Sequence, residues 1–269
     1  MVLIAILLGT LAAGIGSVWV AAALGFGVLA RYTQHMLSLA AGALLGTAFL
    51  HLLPEAFETG TAPQTLFLTL LVGVVFFFLL DKAELWHHGH EHHHEEPNGH
   101  AHHEHAHDHH SHDHHAHSPM GGGWTVLAGD SVHCFGDGIL IASAFMADLR
   151  LGVIAAVAVL AHEVPHHMGD LAVLRVSSST RQAALIKVSL AGAITSLGGL
   201  IGWWLVDQLR DFLPYFLVIA SSSFIYVALA DLIPQLQKRL SLRQTVAQIA
   251  WLFSGIGLVS ITSALLHTH

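Results

Sequence analysis

The sequence predicts an all-α, polytopic membrane protein of eight transmembrane helices. Apolar residues make up 54% of its 269 residues and charged residues only 10%. Mean hydropathy is +0.61, an apolar surplus beyond what one soluble core of this length would bury. Apolar windows close to the ~20 residues a helix needs to cross hydrocarbon recur along the chain. Unpaired backbone groups are not tolerated in lipid, and the windows are too long and too evenly apolar for barrel strands, so each reads as a helix.

The windows fall at residues 1–30, 32–54, 59–80, 121–147, 151–174, 188–206, 212–230 and 244–268. The first has no basic leader region and is of full spanning length, so it reads as a helix of the mature protein. The whole of 1–269 then forms a single transmembrane domain. Lysines and arginines orient it: with the N-terminus outside, Arg31, Lys82, Arg175, Arg181, Lys187, Lys238, Arg239 and Arg243 face the cytosol, and only Arg150 and Arg210 do not. That asymmetry predicts both termini outside. Short connectors and modest length suit a bacterial inner membrane. Small residues at four-residue spacing, as in Gly9, Ala13 and Ser17, Gly42 and Gly46, and Gly192 and Ser196, let helices approach closely. A homodimer stays open. The net charge of −8 is weighted by one loop, and with no basic patch among aromatics the sequence offers nothing to nucleic acid.

That loop lies between the third and fourth spans. Residues 87–119, HHGHEHHHEEPNGHAHHEHAHDHHSHDHHAHSP, hold 17 of the 25 histidines, six acids and no lysine or arginine. Such a segment cannot build a core and reads as disordered. Dense imidazoles among carboxylates suit weak, exchangeable binding of zinc-like ions, here on the cytosolic side.

An internal correspondence links the second and seventh spans: His51-Leu52-Leu53-Pro54-Glu55 near the end of one, Asp231-Leu232-Ile233-Pro234-Gln235 near the end of the other. The two spans run in opposite directions, so the pattern suggests an inverted repeat of spans 1–3 and 6–8 around spans 4–5. A shared preference for proline at helix ends would give the same five positions. His51 and Asp231 are candidate way-stations for an ion, or else polar residues at headgroup level.

The central spans hold the strongest signal. In the fourth, His133 and Asp137 are four residues apart and share a helical face; in the fifth, His162 and His166 do the same with Glu163 beside them. Both constellations fall near the middle of their spans. Ionisable groups at the bilayer centre cost roughly 3 kcal/mol each unless paired or bound to a cation. Neutral imidazoles and carboxylates around one divalent ion meet that demand. His133, Asp137, His162, Glu163 and His166 are therefore the expected ligands. Pro165 removes an amide within the motif and predicts a bend there. Asp130 and Asp170 lie on the cytosolic side of the site as candidate exit groups, although Asp170 could instead serve Arg175 at the helix end.

These residues resemble the ZIP (Zrt/Irt-like) family of divalent metal transporters, whose fourth span carries His-Asn-x-x-Asp-Gly and whose fifth carries His-Glu-x-Pro-His-x-x-Gly-Asp in its largest animal subfamily. Here His133 through Gly138 and His162 through Asp170 carry the corresponding residues. The resemblance implies eight spans, outside termini, a histidine-rich cytosolic loop and transport of zinc as substrate towards the cytosol, with iron, manganese and cadmium as further candidates. It implies no enzyme activity. Cys134 stands where the family has asparagine, a residue that in some members joins a second metal position. A thiolate there would bind zinc more tightly than an amide, or the cysteine simply packs. The sixth span offers only Thr195 and Ser196 where some members add a carboxylate, so one main site is expected.

The rival reading is an intramembrane zinc metalloprotease, with His162 and His166 as ligands and Glu163 as general base. His133 and Asp137 would crowd its open coordination position. A cation-diffusion exporter also uses His and Asp four apart, but has six spans and a soluble C-terminal domain.

Overall fold

The computed structural model describes residues 1–24, 26–89, 122–178, 180–237 and 241–267. Among them, seven helices are long and apolar enough to cross a membrane: Val2–Leu24, Tyr32–Glu58, Pro63–Lys82, Leu149–Arg175, Arg181–Gln208, Arg210–Leu236 and Leu242–Leu266. An eighth, Gly122–Ala147, is equally long, its apolar character diluted by Asp130, His133 and Asp137. In chain order these are the eight expected spans of an all-α polytopic membrane protein. The third helix continues to Gly89, and the rest of the histidine-rich segment, 90–119, lies outside the described residues.

Short polar connectors set the alternation. Asp148 alone separates the fourth and fifth spans, and its carboxylate accepts the amides of Arg150 at 2.9 Å and Leu151 at 3.3 Å, capping the fifth. Thr180 caps the sixth by accepting the Ala183 amide at 3.1 Å. Gly60, with φ at +79°, supplies the left-handed residue of the turn between the second and third spans. The sixth helix begins at Arg181, ahead of its apolar window. Lys187 consequently lies inside it, and its amine reaches back to the Ser178 hydroxyl at 3.4 Å.

The second, fifth and seventh spans are 67%, 56% and 56% buried, against 11% and 17% for the third and eighth. Those two are outer helices; Phe67, Leu71, Val75 and Leu79 of the third point away from the protein. Helix axes come close where side chains are smallest. A Cβ on Gly42 would stand 2.0 Å from the Leu252 carbonyl, and one on Gly138 would stand 2.0 Å from that of Thr195.

The packing has the form an inverted repeat requires. The second span packs on the eighth and the seventh on the third, while the fourth packs on the sixth and the fifth on the first. Exchanging spans 1, 2, 3 and 4 with 6, 7, 8 and 5 maps each pair onto the other. The corresponding Pro54 and Pro234 both follow a wide π turn, Ala48–Leu52 in one case and Val227–Leu232 in the other. A third π turn, Ala12–Gly16, interrupts the first span just before Ser17. The fifth helix runs unbroken from Leu149 to Ser177 through the buried Pro165.

Candidate metal centre

Cys134 and Glu163 sit near the middle of antiparallel neighbours, Gly122–Ala147 and Leu149–Ser177, and polar side chains meet along that seam. The first group joins His133, Asp137, His162 and Glu163. Nε2 of His162 lies 3.1 Å from Asp137 Oδ2 and 3.4 Å from Glu163 Oε1; Nε2 of His133 lies 3.3 Å from the same Glu163 oxygen and 3.8 Å from Asp137 Oδ2. Four ligands about 2.1 Å from one ion stand about 3.4 Å from each other in a tetrahedron. The spacing is that of a ligand cage. His162 is oriented from behind, its Nδ1 against the Ala158 carbonyl at 3.3 Å, which turns Nε2 inward.

A second group lies one turn nearer the opposite face: Asp130, Cys134, Glu163 and His167. Here the other Glu163 oxygen, Oε2, is 3.1 Å from His167 Nε2, and Asp130 Oδ1 is 3.6 Å from it. Sγ of Cys134 lies 3.7 Å from Asp130 Oδ1, 3.9 Å from His167 Nε2 and 4.0 Å from Glu163 Oε2. All four residues are buried. Glu163 thus belongs to both groups, one oxygen to each.

A third group contains Asp130, His166 and Asp170. Nε2 of His166 is 3.5 Å from Asp130 and 3.8 Å from Asp170. The His166 ring lies 5.3 Å from that of His133, tilted by 35°, while its Nε2 faces this third set. The two histidines of the His-Glu-x-x-His motif therefore face different groups, and the protease reading, which needs both on one ion, finds no support.

Buried oxygens and nitrogens without a hydrogen-bond partner gather here: Asp130 Oδ2, Asp137 Oδ2, His162 Nε2, Glu163 Oε1 and Asp170 Oδ2. Native interiors leave few such atoms, and so many acceptors converging on one seam call for cations. Asp130 to Asp137 spans seven residues, so the groups form a polar column about 10 Å long.

Among the described residues three adjacent groups could hold a metal ion: the first and second share Glu163, which offers one oxygen to each, and the second and third share Asp130. His167 was passed over. A signal for it was present: Asp130-x-x-His133-Cys134-x-Gly136-Asp137 in the fourth span and Glu163-x-x-His166-His167-x-Gly169-Asp170 in the fifth share one spacing. Laid antiparallel, the two stretches exchange the first group with the third and carry the second onto itself. The third lacks a fourth member because the counterpart of His162 is Gly129. His51 is outside every group; its Nε2 is buried and unpaired, whereas Asp231 is exposed and accepts from Gln235 at 2.8 Å.

The chain is similar in sequence to known zinc transporters. Human zinc transporter ZIP4 is 29% identical over 292 aligned residues, covering 89% of this chain and 44% of that protein. The Drosophila melanogaster zinc transporter foi is 34% identical over 137 residues, 51% of this chain and 19% of its own length. Zinc transporter ZIP13 of Pongo abelii is 27% identical over 276 residues, 93% of this chain and 75% of that one. The chain thus spans less than half the length of the first two relatives. The family model described as ZIP zinc transporter matches residues 1–263, nearly the whole sequence, and the chain belongs to the ZIP zinc transporter family.

Proposed function

We propose that this chain carries zinc across a membrane through the column of groups between its fourth and fifth spans. One observation carries the reading: buried, unpartnered atoms of Asp137, His162 and Glu163 converge at the spacing of a four-ligand cage. His133, Asp137, His162 and Glu163 bind the ion first; His166 passes it to Asp130 and Asp170. His51 and Glu55 form the approach from the opposite face, the unpaired Nε2 of His51 being free for a cation. Iron, manganese and cadmium are further candidate substrates, since the first group offers both imidazole and carboxylate.

The direction is towards the cytosol, with both termini outside, on the distribution of lysine and arginine. The histidine-rich segment 87–119 receives the ion there. A bacterial inner membrane and a homodimer complete the proposal, the former on the short connectors.

Radiolabelled zinc influx into proteoliposomes of the purified chain tests it. Saturable influx supports transport. Absence of influx, together with cleavage of membrane substrates, would return the His-Glu-x-x-His motif to protease chemistry.

A further inference from the structure

We infer that Cys134 and His167 make the central group a selectivity position for thiophilic divalent ions, zinc and cadmium over manganese and magnesium, and that Ser17 is the residue that positions it. Its consequence for transport rests on the function proposed above; the binding stands on the geometry alone.

Ser17 follows the π turn of the first span, and its hydroxyl donates to the Gly14 carbonyl at 2.6 Å. With its proton committed there, the Ser17 oxygen accepts from Nδ1 of His167, 2.8 Å away. That bond puts the proton of a neutral His167 on Nδ1 and leaves the lone pair of Nε2 facing Glu163 Oε2 at 3.1 Å and Asp130 Oδ1 at 3.6 Å. Three acceptors then face one another inside a bilayer. Asp130, 4% exposed, has its second oxygen unpaired as well. A divalent cation satisfies all of them.

Sulfur completes the set. A zinc–sulfur bond of about 2.3 Å beside ligands at about 2.1 Å puts sulfur about 3.6 Å from its co-ligands. The Cys134 sulfur stands 3.7, 3.9 and 4.0 Å from its three neighbours. Binding replaces the thiol proton with the metal and releases it to water. Charge also balances across both groups: Asp130, Asp137, Glu163 and the thiolate carry four negative charges, and two divalent ions carry four positive. A thiolate with an imidazole prefers zinc and cadmium, whereas carboxylate and water suit manganese and magnesium. An asparagine at position 134 would lack that preference.

The test uses the purified full-length chain and cobalt(II) as spectroscopic probe. Cys134 is the chain's single cysteine, so a sulfur-to-cobalt charge-transfer band in the near ultraviolet reports this position alone, undisturbed by the histidine-rich segment. The expected result is such a band, displaced by zinc and lost in Cys134→Ser and Cys134→Ala. Ser17→Ala should weaken cobalt affinity at this band roughly tenfold, the usual scale for removing an outer-shell partner, and Ser17→Thr should restore it. In proteoliposomes, Cys134→Asn should lower the ratio of cadmium to manganese influx roughly tenfold. A wild-type protein that binds cobalt without the band overturns the inference, as does an unchanged cadmium-to-manganese ratio in Cys134→Asn. A band present in a protein that moves no metal strikes the transport reading and leaves the binding position standing.

Discussion

Nε2 of His162 lies 3.1 Å from Oδ2 of Asp137, across the seam between the fifth and fourth spans, and neither atom has a hydrogen-bond partner. With Nδ1 of His162 engaged by the Ala158 carbonyl, two electron-rich atoms face each other in the middle of the protein. Such a contact is repulsive until a cation lies between them. Removing either side therefore removes binding. His162→Ala and Asp137→Asn are each expected to lower zinc influx at least tenfold, the lower end of what even outer-shell losses cost, while both proteins elute as folded species in detergent.

Acid should oppose transport. The imidazoles of His133, His162 and His166 bind metal only when unprotonated, and an ordinary imidazole gains its proton near pH 6.5. Protons and the ion compete for the same nitrogens, so influx measured at fixed free zinc should fall as the pH is lowered from about 7.5 to about 5.5. A steady rise over the same range would contradict this use of the histidines.

Close packing of the fourth and sixth spans holds the column in place. A Cβ on Gly138 would lie 2.0 Å from the Thr195 carbonyl, and one on Gly198 would lie 2.1 Å from that of Phe135. Backbone on one side and backbone on the other leave no flexible group to yield. Gly138→Ala should cost about 1–3 kcal/mol, the range for overpacking, read as a lowered midpoint of thermal unfolding in detergent.

Asp148 offers a contrast away from the column. Its carboxylate caps the fifth span through the amides of Arg150 and Leu151. Asp148→Ala should lower stability by about 1 kcal/mol and leave the zinc concentration for half-maximal influx unchanged.

Much of this was legible in the sequence because hydropathy is a direct record of burial in lipid. The alternation of spans followed from their length, and His133, Asp137, His162 and Glu163 stood out because charge at the bilayer centre needs a purpose. Helix spacing alone could not say where His166 turns. Residues 162 and 166 share a face, yet the partners from the fourth span change along that face, so His166 meets Asp130, about two turns along the fourth span from Asp137. His167, one step from His166, belongs to a different face; in the sequence only the spacing shared by the fourth and fifth spans points to it, and in the structure its contacts with Ser17 and Glu163 fix its ring. The π turns were equally out of reach, since an extra residue in a helical turn leaves no hydropathy signature.

Glu163 joins the first two groups, so its charge tests the account most directly. Zinc influx should be compared in proteoliposomes containing equal amounts of folded wild type and Glu163→Gln, a change that keeps the shape and removes the charge. The account predicts saturable influx in the wild type and a loss of more than tenfold in the variant. Equal influx in the two would mean that zinc does not pass between the fourth and fifth spans.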